Sequence, residues 1–226
     1  MPAYLSMRMV FSNERIKPGF IKGIHQYFID AGFEFSGGFH WTDTGHAVID
    51  TTLDEISEHN QSVIENKLQL GFPKIDYDDY DEEYNNSYRQ ILFKREGYSE
   101  LRGILGAGKV CTGFTLLIPE DDVKYPTGER GTFCYLKDKT APFAKLAKKL
   151  WEDGKVDAVL TELEHDDPPY DIFDAMKGRN IRFRPFAVIP ELAYKKFPEG
   201  YFEAAEITKL AKNGIYIEKS GDEDYY

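Results

Sequence analysis

The sequence predicts an α+β protein, a mixed β-sheet packed with helices that turns more α/β-like in its C-terminal third. Three observations carry that expectation. Apolar residues recur at helical spacing in two early windows, 20–31 and 53–68. Short runs rich in aromatic and β-branched residues, bounded by Gly, Pro and Asp, read as strands around them. Beyond Leu136 the rhythm becomes helix–strand–helix–strand–helix, the pattern of crossover units with some parallel pairing.

Taken in order, 4–11 is the first expected strand. Pro18 opens a helix in which Phe20, Ile21, Ile24, Phe28 and Ala31 share a face, and Gly32 stops it. Two short strands, 33–41 and 47–50, are joined by the turn Thr42-Asp43-Thr44-Gly45. The second helix, 53–68, sets Leu53, Ile56, Val63, Ile64 and Leu68 on one side. Strand character resumes at 88–93. The runs 110–118 and 132–136 read as a strand pair joined by the polar loop PEDDVKYPTGERG. The last third is expected to hold helix 142–151, strand 156–163, helix 170–177, strand 181–189 and helix 201–212. The chain is then one domain of 226 residues or two lobes, 1–136 and 137–226, with 221–226 a flexible acidic tail. FTLLIPE at 114–120 and FAVIPE at 186–191 look alike, and read as two strands ended in the common way by proline.

Thirty-nine acidic against 28 basic residues leave a formal charge of −11. That balance disfavours nucleic acid and anionic membranes as partners, and leaves basic proteins, cationic ligands and metals. No apolar run approaches the roughly 20 residues that cross a bilayer. The start, MPAYLSMRMVF, has neither the basic region nor the apolar core of a signal peptide. Cys111 and Cys134, the only cysteines, support no disulfide framework and no four-thiolate zinc site. A cytoplasmic protein with reduced thiols is the expectation.

The densest chemical signal is IDYDDYDEEYNNSY at 75–88. Asp76, Asp78, Asp79, Asp81, Glu82 and Glu83 are interleaved with Tyr77, Tyr80 and Tyr84. Like charges this close are not buried unpaired, so the segment faces solvent or something cationic. Carboxylates steer a basic partner, and tyrosines add contact area at low entropic cost. The leading expectation is therefore a non-enzymatic binding protein for a basic protein or a cationic ligand, using the stretch from Asp76 to Tyr84.

An enzyme is the rival expectation. If the strands of the last third run parallel, Glu162, Glu164, His165, Asp166 and Asp167 gather with Glu191 at one sheet edge, where ligands of open α/β sheets collect. Glu120, Asp121 and Asp122 end strand 110–118 in the same way. Such carboxylates suit a metal-assisted hydrolase or transferase, by holding a hard divalent cation or raising one another's pKa. His40, Asp43 and His46, in HWTDTGH, form a second set of metal-ligand candidates on a hairpin. A third alternative is a small-ligand sensor, since 16 Phe and 15 Tyr suffice to line an aromatic pocket.

Two further motifs read as structural. GILGAGK, from Gly103 to Lys109, has the spacing of a phosphate-binding loop. It lacks the hydroxyl residue at Val110, and a strand-like run follows where a helix is required, so it reads as a glycine-rich turn. Arg182 and Arg184 share one face of strand 181–189 and are expected to pair with acidic loops. No cofactor is indicated by any motif.

Overall fold

Leu5 and Met7 are buried between half-exposed neighbours, so β1 (Tyr4–Ser12) starts with the two-residue period of a pleated strand before the wholly buried run from Met9 to Phe11. The period recurs in β5 (Leu101–Ala107) and β6 (Cys111–Pro119). The computed structural model describes residues 3–42, 45–70, 88–108, 111–127, 132–163, 183–219 and 223–224. It corrects the expected fold class. The protein is predominantly β, with ten strands in a large antiparallel sheet, three in a smaller one, and few helices. The chain divides into two units, one of residues 11–116 and one of 1–10 with 117–226.

In the unit 11–116, helices α1 (Phe20–Asp30) and α2 (Leu53–Leu70) fall in the two windows of helical period. β2 (Glu34–Thr42) forms a hairpin with β3 (Gly45–Ile49), and β4 (Gln90–Lys94) pairs with β2 on its other side. The strand order is β6-β5-β4-β2-β3. α1 buries Ile21, Ile24, His25 and Phe28, and Phe28 meets the rings of Phe33, Phe93 and Phe114. The GILGAGK run is strand as far as Ala107, not a turn. Gly103 is required by packing. A Cβ there would come within 2.3 Å of Phe114 and 2.4 Å of Ile91. Asn60 of α2 does a strand's work for Arg89, donating Nδ2–H to its carbonyl at 2.9 Å and accepting its N–H at 3.0 Å.

In the other unit, β9 (Ala158–Leu163) lies between β1 and β10 (Phe186–Pro190), with Leu163 opposite Leu5 and Val159 opposite Val188. Both pairings are antiparallel, which removes the parallel crossovers expected of the last third. The expected helix 201–212 is also absent. Its place is taken by strand β11 (Ala205–Leu210), which forms a hairpin with β12 (Gly214–Lys219). Ala, Glu and Lys favour helix locally. Against that, Lys212 and Asn213 both sit at φ 55, in the left-handed pair that turns a hairpin. The buried run Ile215-Tyr216-Ile217 also needs a ladder partner on each side.

Helix α3 (Glu120–Val123) is a single turn, and α4 (Lys137–Glu152) starts earlier than expected, with Pro142 inside it rather than at its first position. α4 buries Phe143, Leu146, Ala147, Leu150 and Trp151. Trp151 Nε1–H donates to the Ala211 carbonyl at 2.9 Å, and the indole fills the space over Gly214. A Cβ at Gly214 would stand 2.1 Å from that nitrogen. Gly214→Ala is therefore expected to lower stability by about 1–3 kcal/mol through overpacking, read as a fall in the thermal midpoint. Gly23→Ala, mid-helix with nothing within 4 Å of the added methyl, should move the midpoint the other way. A Gly214→Ala protein as stable as wild type would refute the packing account.

β7 (Lys124–Pro126), β8 (Thr132–Tyr135) and β13 (Glu223–Asp224) make the small sheet. β8 thus pairs with β7 and β13, not with β6 as expected, and Glu223 of the acidic tail lies opposite Phe133. The likeness between FTLLIPE and FAVIPE goes beyond a shared strand ending. Pro119 and Pro190 each cap one helical turn, α3 and α5 (Glu191–Tyr194), and each turn begins with a glutamate that pairs with a lysine four residues on. Among the described residues no helix is long and apolar enough to cross a membrane.

Candidate functional site

The segment between β10 and β11 closes on itself through successive turns. Lys195 N–H donates to Glu191 O at 3.0 Å, Phe197 N–H to Tyr194 O at 3.2 Å, and Tyr201 N–H to Pro198 O at 3.2 Å. Pro198 prevents α5 from continuing. Gly200, at φ 80, occupies the third position of the turn Pro198–Tyr201, where a type II turn needs a left-handed residue. Folding this short run brings four rings together. Phe202 stacks on Tyr194 at 5.1 Å between ring centres and meets Phe197 and Tyr201 edge-on at 5.0 and 4.9 Å. Phe183 supports it from behind at 5.4 Å.

These rings line an open cleft of about 560 Å³, whose other lining groups include Lys195, Glu199 and Glu203. Lys195 is engaged with Glu191 at 2.8 Å, and that hydrogen bond holds the Glu191 carboxyl below its usual pKa. Glu199 and Glu203 are exposed and make no ion pair among the described residues. Aromatic faces carry negative potential, so rings and carboxylates together make an electron-rich wall. Elsewhere in the chain such faces hold cations. Arg95 lies 4.7 Å from the centre of Phe33, Lys67 4.5 Å from Tyr88 and Lys148 4.2 Å from Tyr216. Over Tyr194, Phe197 and Phe202 there is no cation among the described residues.

The residues singled out from sequence fare differently. The stretch Asp76 to Tyr84 lies outside the described residues, as do Asp43, Glu164, His165, Asp166, Asp167 and Arg182. Glu162 is in β9, opposite Ser6. Because β9 and β10 are antiparallel, their ends leave opposite edges of the sheet, so Glu162 and Glu191 do not gather as the parallel arrangement required. The end of β6 does share an edge with the end of β9, since Glu120 N–H donates to Ala3 O while Leu163 faces Leu5. Glu120 itself is buried and paired with Lys124, whose ammonium is held below its usual pKa by burial. The hairpin register sets His40 opposite Ala47 and His46 opposite Trp41. Among the described residues no group of three or more His, Cys, Asp or Glu is placed to hold a metal.

One pairing that sequence reading missed has the look of a catalytic dyad. His25 Nδ1 and Ser57 Oγ are 2.8 Å apart. The Ser57 hydroxyl donates to Leu53 O at 2.5 Å, and a carbonyl only accepts, so Nδ1–H must donate to Ser57. The serine proton is thus committed away from the imidazole, and both side chains are buried. The pair ties α1 to α2 and has no route to a substrate.

Compared with known protein families, with curated proteins and with solved structures, the chain matches none.

Proposed function

We propose that the chain is a binding protein whose aromatic cleft at 194–203 takes a cationic group by non-covalent contact. The observation that carries this reading is the juxtaposition of Tyr194, Phe197, Tyr201 and Phe202 with the carboxylates of Glu199 and Glu203 around about 560 Å³ of open space. A cation over an aromatic face gains roughly 0.5–2 kcal/mol per ring, more as water leaves. The net charge of −11, including the run from Asp76 to Glu83, draws such ligands in from a distance. A cytoplasmic setting belongs to the same reading, since Cys111 and Cys134 are both free thiols.

Proton NMR titration tests it. n-Butylammonium, tetramethylammonium and N-acetylarginine amide should each move the aromatic resonances of Tyr194 and Phe202, and neutral tert-butanol should leave them in place. Shifts of equal size with tert-butanol would reduce the cleft to an apolar surface and end the cation reading.

A further inference from the structure

We propose that the open edge of β11 takes an extended segment of another, basic protein as an added antiparallel strand. β11 ends the order of the ten-stranded sheet, and among the described residues it pairs with β12 alone. The six residue pairs from Ala205–Lys219 to Leu210–Gly214 run without a bulge or a proline. The ladder also fixes which backbone groups face outward. Lys219 N–H donates to Pro185 O at 2.8 Å, away from β11. Backbone direction alternates along a strand, so Ile217 and Ile215 turn toward β10 as well. Their partners on β11, Ile207 and Lys209, therefore point N–H and C=O outward. The Ala205 N–H is taken by Phe202 O at 3.0 Å. Those of Ile207 and Lys209 have no hydrogen-bond partner among the described residues, and the side chains from Glu206 to Lys209 are all exposed.

The charges select the partner. Glu206 stands directly opposite Glu218 on one face of the sheet, a like-charge pairing that is unfavourable in a ladder. The Tyr216 hydroxyl donates to Glu218 at 3.0 Å, and the Lys148 ammonium lies over the Tyr216 ring at 4.2 Å. Neither carboxylate has an ion pair among the described residues. A lysine or arginine opposite Glu206 on an added strand would lie on the same face and supply the missing cation.

A second copy of the chain cannot supply it. Two β11 strands paired about a two-fold axis keep each side chain on its own face, so Glu206 meets Glu206, Thr208 or Leu210 and never Lys209. The charge of −11 also opposes self-pairing and draws a basic partner. Charged residues on an edge keep strands from pairing indiscriminately. Here they exclude the second copy and leave the edge to a basic strand. This surface stands on observations separate from the cleft at 194–203, so either reading can fail alone.

The test is amide hydrogen exchange on the full chain with the peptide acetyl-TSTVKVT amide, whose first valine sits opposite Ile207 and whose lysine sits opposite Glu206. Without peptide, the Ile207 and Lys209 amides should exchange quickly, and those of Glu206 and Thr208, which face β12, slowly. Saturating peptide should slow Ile207 and Lys209 about tenfold. A peptide with glutamate in place of the lysine should bind about fivefold more weakly. Methylating the backbone nitrogen of the first valine, which would donate to Ile207 O, should abolish binding. Methylating that of the lysine, which faces solvent, should not. Ile207→Pro should also abolish binding and keep the hairpin, because proline is tolerated where the strand N–H faces outward. Undiminished binding of the valine-methylated peptide would overturn strand addition, whether or not the proline variant folds. A glutamate peptide that binds as tightly would overturn the basic assignment. Unchanged exchange at Ile207 and Lys209 with every peptide would overturn the whole proposal and leave the cleft reading standing. Slowing that grows with protein concentration alone would assign the edge to a second copy and overturn it equally.

Discussion

Phe28→Ala is expected to cost about 3–5 kcal/mol, the range for deleting a buried aromatic side chain. Phe28 is fully buried and is the ring around which the others in residues 11–116 are arranged. It stacks on Phe93 at 5.0 Å and 13°, and meets Phe33 and Phe114 edge-on at 5.6 and 5.4 Å. The upper part of the range applies because these neighbours cannot collapse into the cavity. Phe33 lies under the Arg95 guanidinium, which also donates to the Ala31 carbonyl. Phe114 fills the space above Gly103. Against a total stability of roughly 5–15 kcal/mol, such a loss leaves the unit marginal. Urea unfolding, with amide hydrogen exchange in α1 and β4 as a local reading, measures it. Val48→Ala, at a side chain 66% exposed, is the control and should change stability by less than about 0.5 kcal/mol. A Phe28→Ala protein within that same margin would mean the ring cluster is not the core of this unit.

The parts of the fold that sequence makes legible are those where a buried face imposes its period on the residues. α1 and α2 were visible because Ile21, Ile24, Phe28, Ile56 and Ile64 recur at helical spacing and are buried together. The hairpin of β2 and β3 was visible because two strand-like runs flank a polar turn. β11 was invisible for the converse reason. Most of it faces solvent, so no apolar alternation marks it, and the helix preference of Ala, Glu and Lys was the only local signal. Sheet direction is not legible, because alternation of helix and strand suits crossovers and antiparallel returns alike. The register settles direction instead, since β9 runs antiparallel to both β1 and β10, a long-range pairing that no local run of residues records. The cleft was half legible. YKKFPEGYF at 194–202 announces aromatic density, but only the turn at Gly200 and the stop at Pro198 show that the rings converge. Gly103 and Gly214 illustrate a further limit. Each glycine is explained by a ring on another element, Phe114 on the next strand or Trp151 on a helix far back in the chain, and the residues around the glycine do not record that.

His25→Leu should erase an acid sensitivity that the wild-type protein carries between about pH 6.5 and pH 4. The imidazole is fully buried between α1 and α2, with the Phe114 ring at 5.3 Å, and burial pushes its pKa down from 6.5 to about 4. The hydrogen bonds explain why protonation is costly. Nδ1–H already serves Ser57, so the second proton must go to Nε2, which has no hydrogen-bond partner among the described residues. The sign follows from linkage. Above pH 6.5 the imidazole is neutral in both states and contributes no pH dependence. Below it the unfolded chain binds a proton that the folded chain refuses, so stability falls as pH falls and levels off near pH 4. The full loss is about 3 kcal/mol, from roughly 2.5 units at 1.36 kcal/mol each. In His25→Leu no proton is available at that position in either state. Ser57 keeps its bond to Leu53 O, so stability at pH 7.5 should stay close to wild type. Carboxylates also titrate toward pH 4, but they do so in both proteins, and the difference between the two curves isolates the histidine. Urea midpoints taken from pH 7.5 down to pH 4 give that difference directly. It should grow steadily below pH 6.5 in favour of the variant. Parallel curves would mean that His25 takes up its proton in the folded state as readily as in the unfolded one, and that its burial between the two helices is breached in solution.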